Sequence, residues 1–206
     1  EEVLPRLVHE THSSFVSFNE DITPFAIGRD NKVRLLVEKS GARVLSCVDH
    51  VIFSADDIRT QSGGAYQKYS PYRKRWLERW KQSPQKPSIL NNLSRPISGF
   101  TLENQNFPKT IIKLLHSSKY SLGGTKNAKK RLNVFLERSV RNYQRDRDVP
   151  SIDGTSRLSP YICFGAISIR ECFSKAEECF LSEEASQIGA NKWIDELIWR
   201  EFYSSI

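Results

Sequence analysis

Hydrophobic and polar residues form two kinds of pattern in the first quarter of the chain. Short runs rich in Val, Phe and Leu at 13–21 and 42–53 are typical of buried strands, whereas 1–10 and 29–39 carry apolar residues at helical spacing, and Gly41 is suited to end the second helix. Helices and strands that alternate over short connections predict a parallel sheet covered by helices. No glycine-rich dinucleotide fingerprint follows either strand, so this layer need not bind a nucleotide in the usual Rossmann manner.

The pattern changes after residue 53. Residues 54–80 lose the strand periodicity and mix turn residues with aromatic and basic ones, and Trp76 and Trp80 lie one helical turn apart. That spacing predicts the packing face of a helix. The alternative is a surface on which single-stranded nucleic acid stacks. Residues 82–108 are rich in Pro, Asn and Ser, which indicates a linker that wraps the surface.

A strong helical pattern follows Gly123 and Gly124. It predicts a helix over 127–143 whose inner face carries Ala128, Leu132, Phe135 and Leu136. Between 117 and 147 the chain has nine basic residues against two acids, and the nine are Lys119, Lys126, Lys129, Lys130, Arg131, Arg138, Arg141, Arg145 and Arg147. Such a bias suits contact with a phosphate backbone, and a solvated basic face explains it equally well.

Residues 150–160 predict a turn that opens a new helix. Pro150 and Gly154 end the preceding helix, and Pro160 fits the first turn of the next one. The turn brings three hydroxyls and one guanidinium, those of Thr155, Ser156, Ser159 and Arg157. Beside the unpaired N–H groups of a helix start, this set suits an anion such as phosphate. The alternative is that one of the serines, Ser156 or Ser159, only caps the helix.

The last helical pattern runs over 193–203. Ile194, Ile198 and Phe202 fall on one side of the helix, and the other side carries Glu196, Trp199, Arg200 and Tyr203. A tryptophan on a face that would otherwise be solvated suggests a pocket wall or a stacking surface. The alternative is a helix buried all round, with an ion pair between Glu196 and Arg200.

Three long motifs stand in one order along the chain: residues 143–159, then LSPYICFGAISIR at 158–170, then ELIWREFY at 196–203. In these motifs the chain resembles the DNA photolyase and cryptochrome family, and most closely the class I cyclobutane pyrimidine dimer photolyases. The resemblance covers most of the chain, since it extends back through GGTKNAKKRLNVFL at 123–136 and ITPFAIGRDNKV at 22–33.

The resemblance implies an α/β amino-terminal domain with a parallel, Rossmann-like sheet that lacks its first strand or strands, followed by a mostly α-helical FAD-binding domain. We accordingly assign 1–80 to the α/β antenna domain and its connector, 81–115 to an interdomain linker and 116–206 to the first part of the helical domain. Family members continue well beyond the position of Ile206, so we expect a fragment of a longer photolyase.

The resemblance also implies roles for single residues. FAD would be held, mostly through its pyrophosphate and ribityl chain, by Tyr143, Thr155, Ser156, Arg157, Leu158 and Ser159. Arg147 matches a residue that contacts the DNA backbone. Glu196 and Trp199 match the catalytic pair that receives a flipped pyrimidine dimer, where the acid bonds to the thymine edge and the indole stacks on the lesion. The matching DNA-binding segment consists of Glu196, Leu197, Ile198, Trp199, Arg200, Glu201, Phe202 and Tyr203.

The implied function is blue-light-driven repair of cyclobutane pyrimidine dimers, in which reduced FAD passes an electron to a lesion flipped out of the duplex. Two alternatives stay open: a cryptochrome-like flavin photoreceptor without repair activity, and a basic nucleic-acid-binding module without a cofactor. Phe25 and Ala26 stand where folate-binding relatives carry Asn and Glu. The resemblance therefore implies a deazaflavin antenna chromophore, or none, rather than a folate.

Charge and composition agree with a soluble protein that acts on DNA. A formal net charge of +7 and a pI near 9.3 favour an anionic partner. We find no apolar run of about 18 residues and no signal peptide, and we expect a cytoplasmic monomer. The cysteines form no CxxC pair, which predicts buried reduced thiols rather than disulfides or zinc ligands at Cys47, Cys163, Cys172 and Cys179.

Overall fold

The structure is a computed structural model that describes residues 2–87, 123–181 and 183–206. The first range contains α1 (Val3–Thr11), β1 (Phe15–Asn19), α2 (Pro24–Lys39), β2 (Arg43–Cys47) and α3 (Tyr69–Gln82). The other two ranges contain α4 (Thr125–Val134), α5 (Tyr143–Asp146), α6 (Ser159–Cys163), α7 (Ile169–Glu178) and α8 (Glu184–Ser205). A π-helical turn, Phe135–Ser139, and a 3-10 turn, Val140–Asn142, join α4 to α5, and the 3-10 turn Cys179–Leu181 follows α7.

The two strands pair in parallel, in a register that runs from Phe15 opposite Arg43 to Asn19 opposite Cys47. The predicted parallel arrangement, with α2 as the crossover, is therefore confirmed. One face of the sheet packs on a small core of α1 and α2, formed by Val8, Val33, Val37 and Ala42 with Val16, Phe18 and Val44.

The prediction that both strands are buried is wrong. Exposed and half-buried residues alternate along each strand, and Phe15 and Leu45 on the uncovered face are 55% and 50% exposed. The apolar runs are continuous in sequence, but side chains of a strand alternate between two faces, and within the described residues α1 and α2 cover only one of them.

Helix α2 begins earlier than its predicted start at residue 29. Pro24 occupies the first turn, and the Thr23 side chain caps the helix by accepting a hydrogen bond from the Ala26 N–H at 3.3 Å. Asp21 in turn accepts from the Thr23 N–H at 3.1 Å. A Thr-Pro pair before a helical pattern is a readable start signal, and the sequence interpretation missed it.

A larger core lies between α3 and the helices α4 to α8. Trp76 and Trp80 are 1% and 5% exposed, and their rings lie 5.0 and 4.5 Å from the ring of Phe173 on α7. The Trp80 indole N–H also donates to Glu177 at 2.8 Å. The predicted packing face of α3 is confirmed, so these two indoles offer no stacking surface for nucleic acid.

The predicted helix 127–143 is a continuous helical path, but it changes type in the middle. A π-helical turn and a 3-10 turn replace α-helix between Val134 and Tyr143, and such changes rotate the residues that follow. Helix α8 packs against this junction at Gly189, where any β-carbon would overlap the Val140 carbonyl oxygen. Glycine is required there because the two backbones approach closely.

The predicted domain boundaries at 80 and 115 stay a prediction. Most of the predicted linker, and Lys119 of the basic cluster, lie outside the described residues. Ile52, Phe53 and Trp76 from the first range share one core with the residues of α4 to α8.

Two further expectations concern cysteines and membranes. Cys172 and Cys179 are buried, whereas Cys47 and Cys163 are exposed, so the expectation that all four thiols are buried is wrong for that second pair. All four are free thiols, as expected. Among the residues that the structure describes, no helix is both long and apolar enough to cross a membrane.

Candidate functional site

The turn at 153–159 is held by one arginine of α4. Arg131 donates to the main-chain carbonyl of Ser156 at 3.0 Å, to that of Thr155 at 3.2 Å and to the Asp153 carboxylate at 3.1 Å. A guanidinium can do this because its planar fork carries several donors. From the sequence, Arg131 is only one member of a group of basic residues. No local signal connects it to a turn 24 residues later.

Arg157 stands out from this turn. Its backbone has a φ of 51°, which is uncommon for a residue other than glycine, and its side chain is 63% exposed. Its guanidinium contacts Asp153 at 2.7 Å. Burial raises the pKa of the Asp153 carboxyl, but contacts with Arg131 and Arg157 outweigh burial and lower that pKa below its usual value. The turn therefore presents an exposed cation that rests on a charged acid.

The helix that follows the turn contributes little to anion binding. Helix α6 has five residues, and Pro160 lies in its first turn as predicted. No side chain caps it, so the interpretation of Ser159 as an N-cap is wrong, while Ser156 accepts a long bond from the Leu158 N–H at 3.4 Å. Because a short helix has a small dipole, the anion-binding capacity of the turn rests on Arg157 and the hydroxyls.

Tyr143 and Arg147 lie on α5 and the residue after it, facing α8. The Tyr143 ring is 6% exposed and packs edge-on against Phe135, with ring centroids 5.4 Å apart. Burial raises the pKa of the Tyr143 hydroxyl to about 12, so the hydroxyl stays protonated. The Arg147 guanidinium lies 5.8 Å from the Tyr143 ring centroid, which is a cation–π contact.

Arg147 forms an ion pair with Glu196 on α8. The hydrogen bond to Glu196 is the main reason that the pKa of Arg147 is raised. Lys192 contacts the same carboxylate at 3.2 Å. The alternative pairing of Glu196 with Arg200 is not formed, because the Arg200 guanidinium donates to the carbonyl of His50 instead. Arg147 and Glu196, which belong to separate sequence motifs, are thus joined by an ion pair in the folded chain.

Trp199 is half-buried and stacks on Tyr69, the first residue of α3. Their ring centroids are 3.6 Å apart and their planes differ by 9°. Tyr203, 66% exposed, lies one turn further along α8 with its ring 5.5 Å from the indole. The prediction of one buried and one accessible side of this helix is confirmed, so the helix is not buried all round.

Glu201 anchors α8 from its buried side. The carboxylate is 2% exposed and accepts hydrogen bonds from the Ile52 N–H at 2.5 Å, the Phe53 N–H at 3.3 Å and the Trp76 indole N–H at 2.7 Å. Burial raises its pKa to about 7, against the opposing effect of these donors. Arg170 of α7 reinforces the same loop by donating to the Ile52 carbonyl at 3.3 Å.

The sequence of this chain is similar to those of known proteins. The sequence model of the DNA photolyase family matches residues 1–88. A deoxyribodipyrimidine photo-lyase of Synechococcus sp. is 32% identical over 98% of this chain and 43% of its own length, and one of Alkalihalophilus pseudofirmus is 31% identical over 86% of this chain and 36% of its own. Over nearly its whole length the chain is similar to members of the DNA photolyase and cryptochrome family. It spans less than half the length of these curated relatives.

Solved structures show that the fold is that of the photolyase and cryptochrome family. A bacterial class III photolyase from Agrobacterium tumefaciens superposes with a TM-score of 0.74 at 22% identity, over 98% of this chain and 42% of that one. A cryptochrome from Synechocystis gives 0.68 at 16% identity. The predicted fold class, a parallel α/β part followed by a mostly helical part, is confirmed.

The residues expected to hold FAD fit a diphosphate in chemistry. Arg157 is exposed and cationic, Ser159 is exposed, and Thr155 and Ser156 are half-buried at the same turn. Tyr143 is buried. Leu158 is 1% exposed, so only its main chain is able to contact a ligand.

The structure divides the eight residues of α8 that are expected to contact DNA into two groups. Leu197, Ile198, Glu201 and Phe202 are at most 7% exposed and lie in the core. Four of the eight therefore remain as candidates for contact with DNA. We call them the exposed face of α8: Glu196, Trp199, Arg200 and Tyr203. The helical period of the sequence could have excluded the three apolar residues, Leu197, Ile198 and Phe202. It could not exclude Glu201, because a charged residue is rarely buried and only its distant hydrogen-bond partners explain why this one is.

The antenna expectation also has a structural counterpart. Phe25 is 80% exposed and Ala26 is 1% exposed, so neither supplies a polar group to a folate. A cavity of about 500 Å³ lies at the carboxyl ends of β1 and β2, lined by Asn19, Asp21, Asp49, His50, Phe164 and Arg200 among others. The carboxyl edge of parallel strands is where α/β sheets bind ligands.

Proposed function

We propose that this protein binds FAD and repairs cyclobutane pyrimidine dimers in DNA under blue light, by electron transfer from reduced flavin to a lesion flipped out of the duplex. The observation that carries the proposal is the pairing of Glu196, held by Arg147, with Trp199, held by Tyr69, on the exposed face of α8. An extruded base needs one polar anchor and one aromatic wall. Relatives named deoxyribodipyrimidine photo-lyase support it.

FAD would be held at the 153–159 turn, where its diphosphate meets Arg157 and the hydroxyls of Thr155, Ser156 and Ser159. The cofactor supplies the light-driven electron. The chain contributes orientation: Arg131 fixes two carbonyls of the turn, so the cation and hydroxyls keep one arrangement. The Arg157 side chain is 63% exposed, so its guanidinium is accessible to a ligand.

DNA would approach along the basic side of the α4 to α5 path. Lys126, Lys130 and Arg138 are exposed, and in the part of the chain that the structure describes no ion pair or hydrogen bond occupies them. Arg147 lies between this surface and Glu196. Lysine and arginine on such a path bind phosphates without reading sequence, which suits an enzyme that searches duplex DNA for a lesion.

Within the pocket, Glu196 would accept a hydrogen bond from the N–H edge of the thymine, because carboxylate oxygens are acceptors. Trp199 would stack against the lesion and replace the base stacking lost on flipping. For the second chromophore, we infer that a deazaflavin is better suited than a folate, because the two folate positions carry Phe25 and Ala26.

The test compares three properties of the whole protein: its visible spectrum, light-dependent repair of a dimer-containing oligonucleotide, and affinity for that oligonucleotide against an intact one. We expect bound flavin and repair in the unaltered protein. Trp199→Ala should lower affinity for the lesion by roughly tenfold to a hundredfold, the range for loss of one aromatic stack, with flavin content kept.

Arg6→Ala on exposed α1 is the matched control and should change none of these properties. A protein that carries flavin but repairs no dimer would favour the photoreceptor alternative, and a colourless protein with DNA affinity would favour the cofactor-free module. An equal loss of affinity for damaged and intact DNA in Trp199→Ala would remove the lesion-binding role.

A further inference from the structure

The indole of Trp199 has one close aromatic neighbour. Tyr69 lies parallel to it, with centroids 3.6 Å apart and 9° between planes. The contacts with Phe202 and Tyr203 are longer, at 5.6 and 5.5 Å, and less parallel, at 78° and 26°. Full face-to-face overlap with Tyr69 restricts rotation of the indole about both side-chain torsions.

Tyr69 is itself fixed to α8. Its hydroxyl donates to the main-chain carbonyl of Asp195 at 2.9 Å, and its ring packs edge-on against Phe202 at 5.9 Å. Burial is the main cause that raises the pKa of this hydroxyl, so it remains a donor at neutral pH. One turn further along α3, Arg73 donates to the Asp195 carboxylate at 2.6 Å. The ring therefore has a defined position relative to the helix that carries Trp199.

Trp199, the residue on which Tyr69 stacks, is only half-buried. Ordinary core aromatics in this protein, such as Trp76 and Phe173, are 1% exposed. The Tyr69–Trp199 stack lies at the edge of the core, where burial alone gives less reason for a parallel alignment of two rings.

We propose that Tyr69 is a positioning residue for Trp199, which holds the indole in the plane that a flipped pyrimidine dimer requires. This inference rests on the proposed function, because it assumes that Trp199 contacts the lesion. Without Tyr69 the indole samples several rotamers, and only a fraction of the molecules is ready to stack. The apparent affinity for the lesion falls by that fraction, while backbone binding to intact DNA is unchanged.

The experiment uses the flavin-loaded protein and measures the ratio of affinities for dimer-containing and intact DNA. Tyr69→Leu keeps apolar bulk but removes the stack, and it should lower the ratio by about fivefold to tenfold. Tyr69→Phe keeps the ring and loses only the bond to Asp195, so it should retain most of the ratio. Tyr66→Leu removes a tyrosine of the same segment that packs on Tyr72, and it should leave the ratio intact.

A double-mutant cycle distinguishes this inference from the proposed function. If Tyr69 acts through Trp199, Tyr69→Leu changes the ratio in the unaltered protein and changes nothing further in a Trp199→Ala background. Additive losses would overturn the positioning role. A normal ratio in Tyr69→Leu, together with a reduced ratio in Trp199→Ala, also overturns it and leaves the proposed function standing. A normal ratio in Trp199→Ala overturns both.

Melting temperature and flavin content are recorded for each variant. A purely structural role for Tyr69 would lower stability and affect damaged and intact DNA equally. Should Tyr69→Leu be too unstable to purify, Tyr69→His keeps a planar ring of smaller area, and an intermediate loss of the ratio is then the expected result.

Discussion

The 153–159 turn and the exposed face of α8 are held in different ways. The turn is tied to α4 by the hydrogen bonds of Arg131 and to the core by Leu158, and polar contacts such as that of Arg157 with Asp153 lie within it. The face of α8 depends on residues from three distant segments: Tyr69 on α3, Arg147 after α5, and the loop at 50–53.

The two sites should therefore differ in how well they tolerate change. The turn is held by few polar contacts, so losing one of them should cost little stability. The α8 face is oriented by the packing of the whole helical part, so a change in a remote anchor disturbs the fold and the site together. Each of the following experiments tests that contrast.

The largest effect is expected for Glu201→Ala. It leaves the N–H groups of Ile52, Phe53 and Trp76 buried without an acceptor, and each such group costs about 1 to 3 kcal/mol. We expect the free energy of unfolding to fall by about 4 kcal/mol, measured by denaturant titration. Glu184→Ala, at the exposed start of the same helix, is the control and should change it by less than about 1 kcal/mol.

The same carboxyl makes stability depend on pH. Burial raises the pKa of Glu201 from 4.5 to about 7, so the folded protein holds a proton that the unfolded chain releases. The resulting stabilisation is complete below pH 4.5 and disappears as pH rises through 7, with a slope of up to about 1.4 kcal/mol per pH unit. Unfolding titrations from pH 5 to 8 measure it. If Glu201→Gln shows the same slope, Glu201 is not its source.

A smaller effect is expected where α8 crosses the junction of the π-helical and 3-10 turns. Gly189→Ala inserts a methyl group against the Val140 carbonyl and should cost about 2 kcal/mol of unfolding free energy. Gly28→Ala in α2 is the matched variant, because a methyl group there meets no atom within 4 Å, and it should stabilise by about 0.5 to 1 kcal/mol. Equal effects of both variants would contradict the close approach described for Gly189.

The smallest effect on stability is expected at the turn. Arg131→Lys keeps the charge but cannot bond two consecutive carbonyls, so it should cost about 1 kcal/mol of stability or less. Flavin affinity should fall by about tenfold, since the turn loses its fixed shape. Arg138→Lys, exposed on the same helical path, is the control. A large loss of stability in Arg131→Lys would show that the turn is coupled to the fold as tightly as α8 is.

Sequence reasoning found the elements of both sites but not their anchors. The periodicity of Trp76 and Trp80 and that of 193–203 predicted the buried faces, because burial imposes a repeat that can be read locally. Arg131, Tyr69 and Glu201 carry no such signal. Their partners lie 22 to 149 residues away, and only the folded chain brings them together.

The strand burial was mispredicted for a related reason. An apolar run such as 13–21 indicates that both faces of a strand can be buried, but it does not indicate which elements pack on them. The pairing of Glu196 with Arg147 instead of Arg200 is a similar case. Spacing along one helix made Arg200 the obvious partner, but the carbonyl of His50 takes its guanidinium in the folded chain.

Contacts of α8 join residues that are far apart in the sequence, and this separation affects the order in which the chain folds. Glu201 and Ile52 are 149 positions apart, Tyr69 and Asp195 are 126 apart, and Arg131 and Thr155 only 24. Closing a long loop costs more chain entropy than closing a short one, and contacts of high sequence separation slow folding. We therefore expect the turn at 153–159 to form before the exposed face of α8. On this view, a folding chain acquires the turn that we propose binds a diphosphate before it acquires the surface that we propose contacts a flipped base.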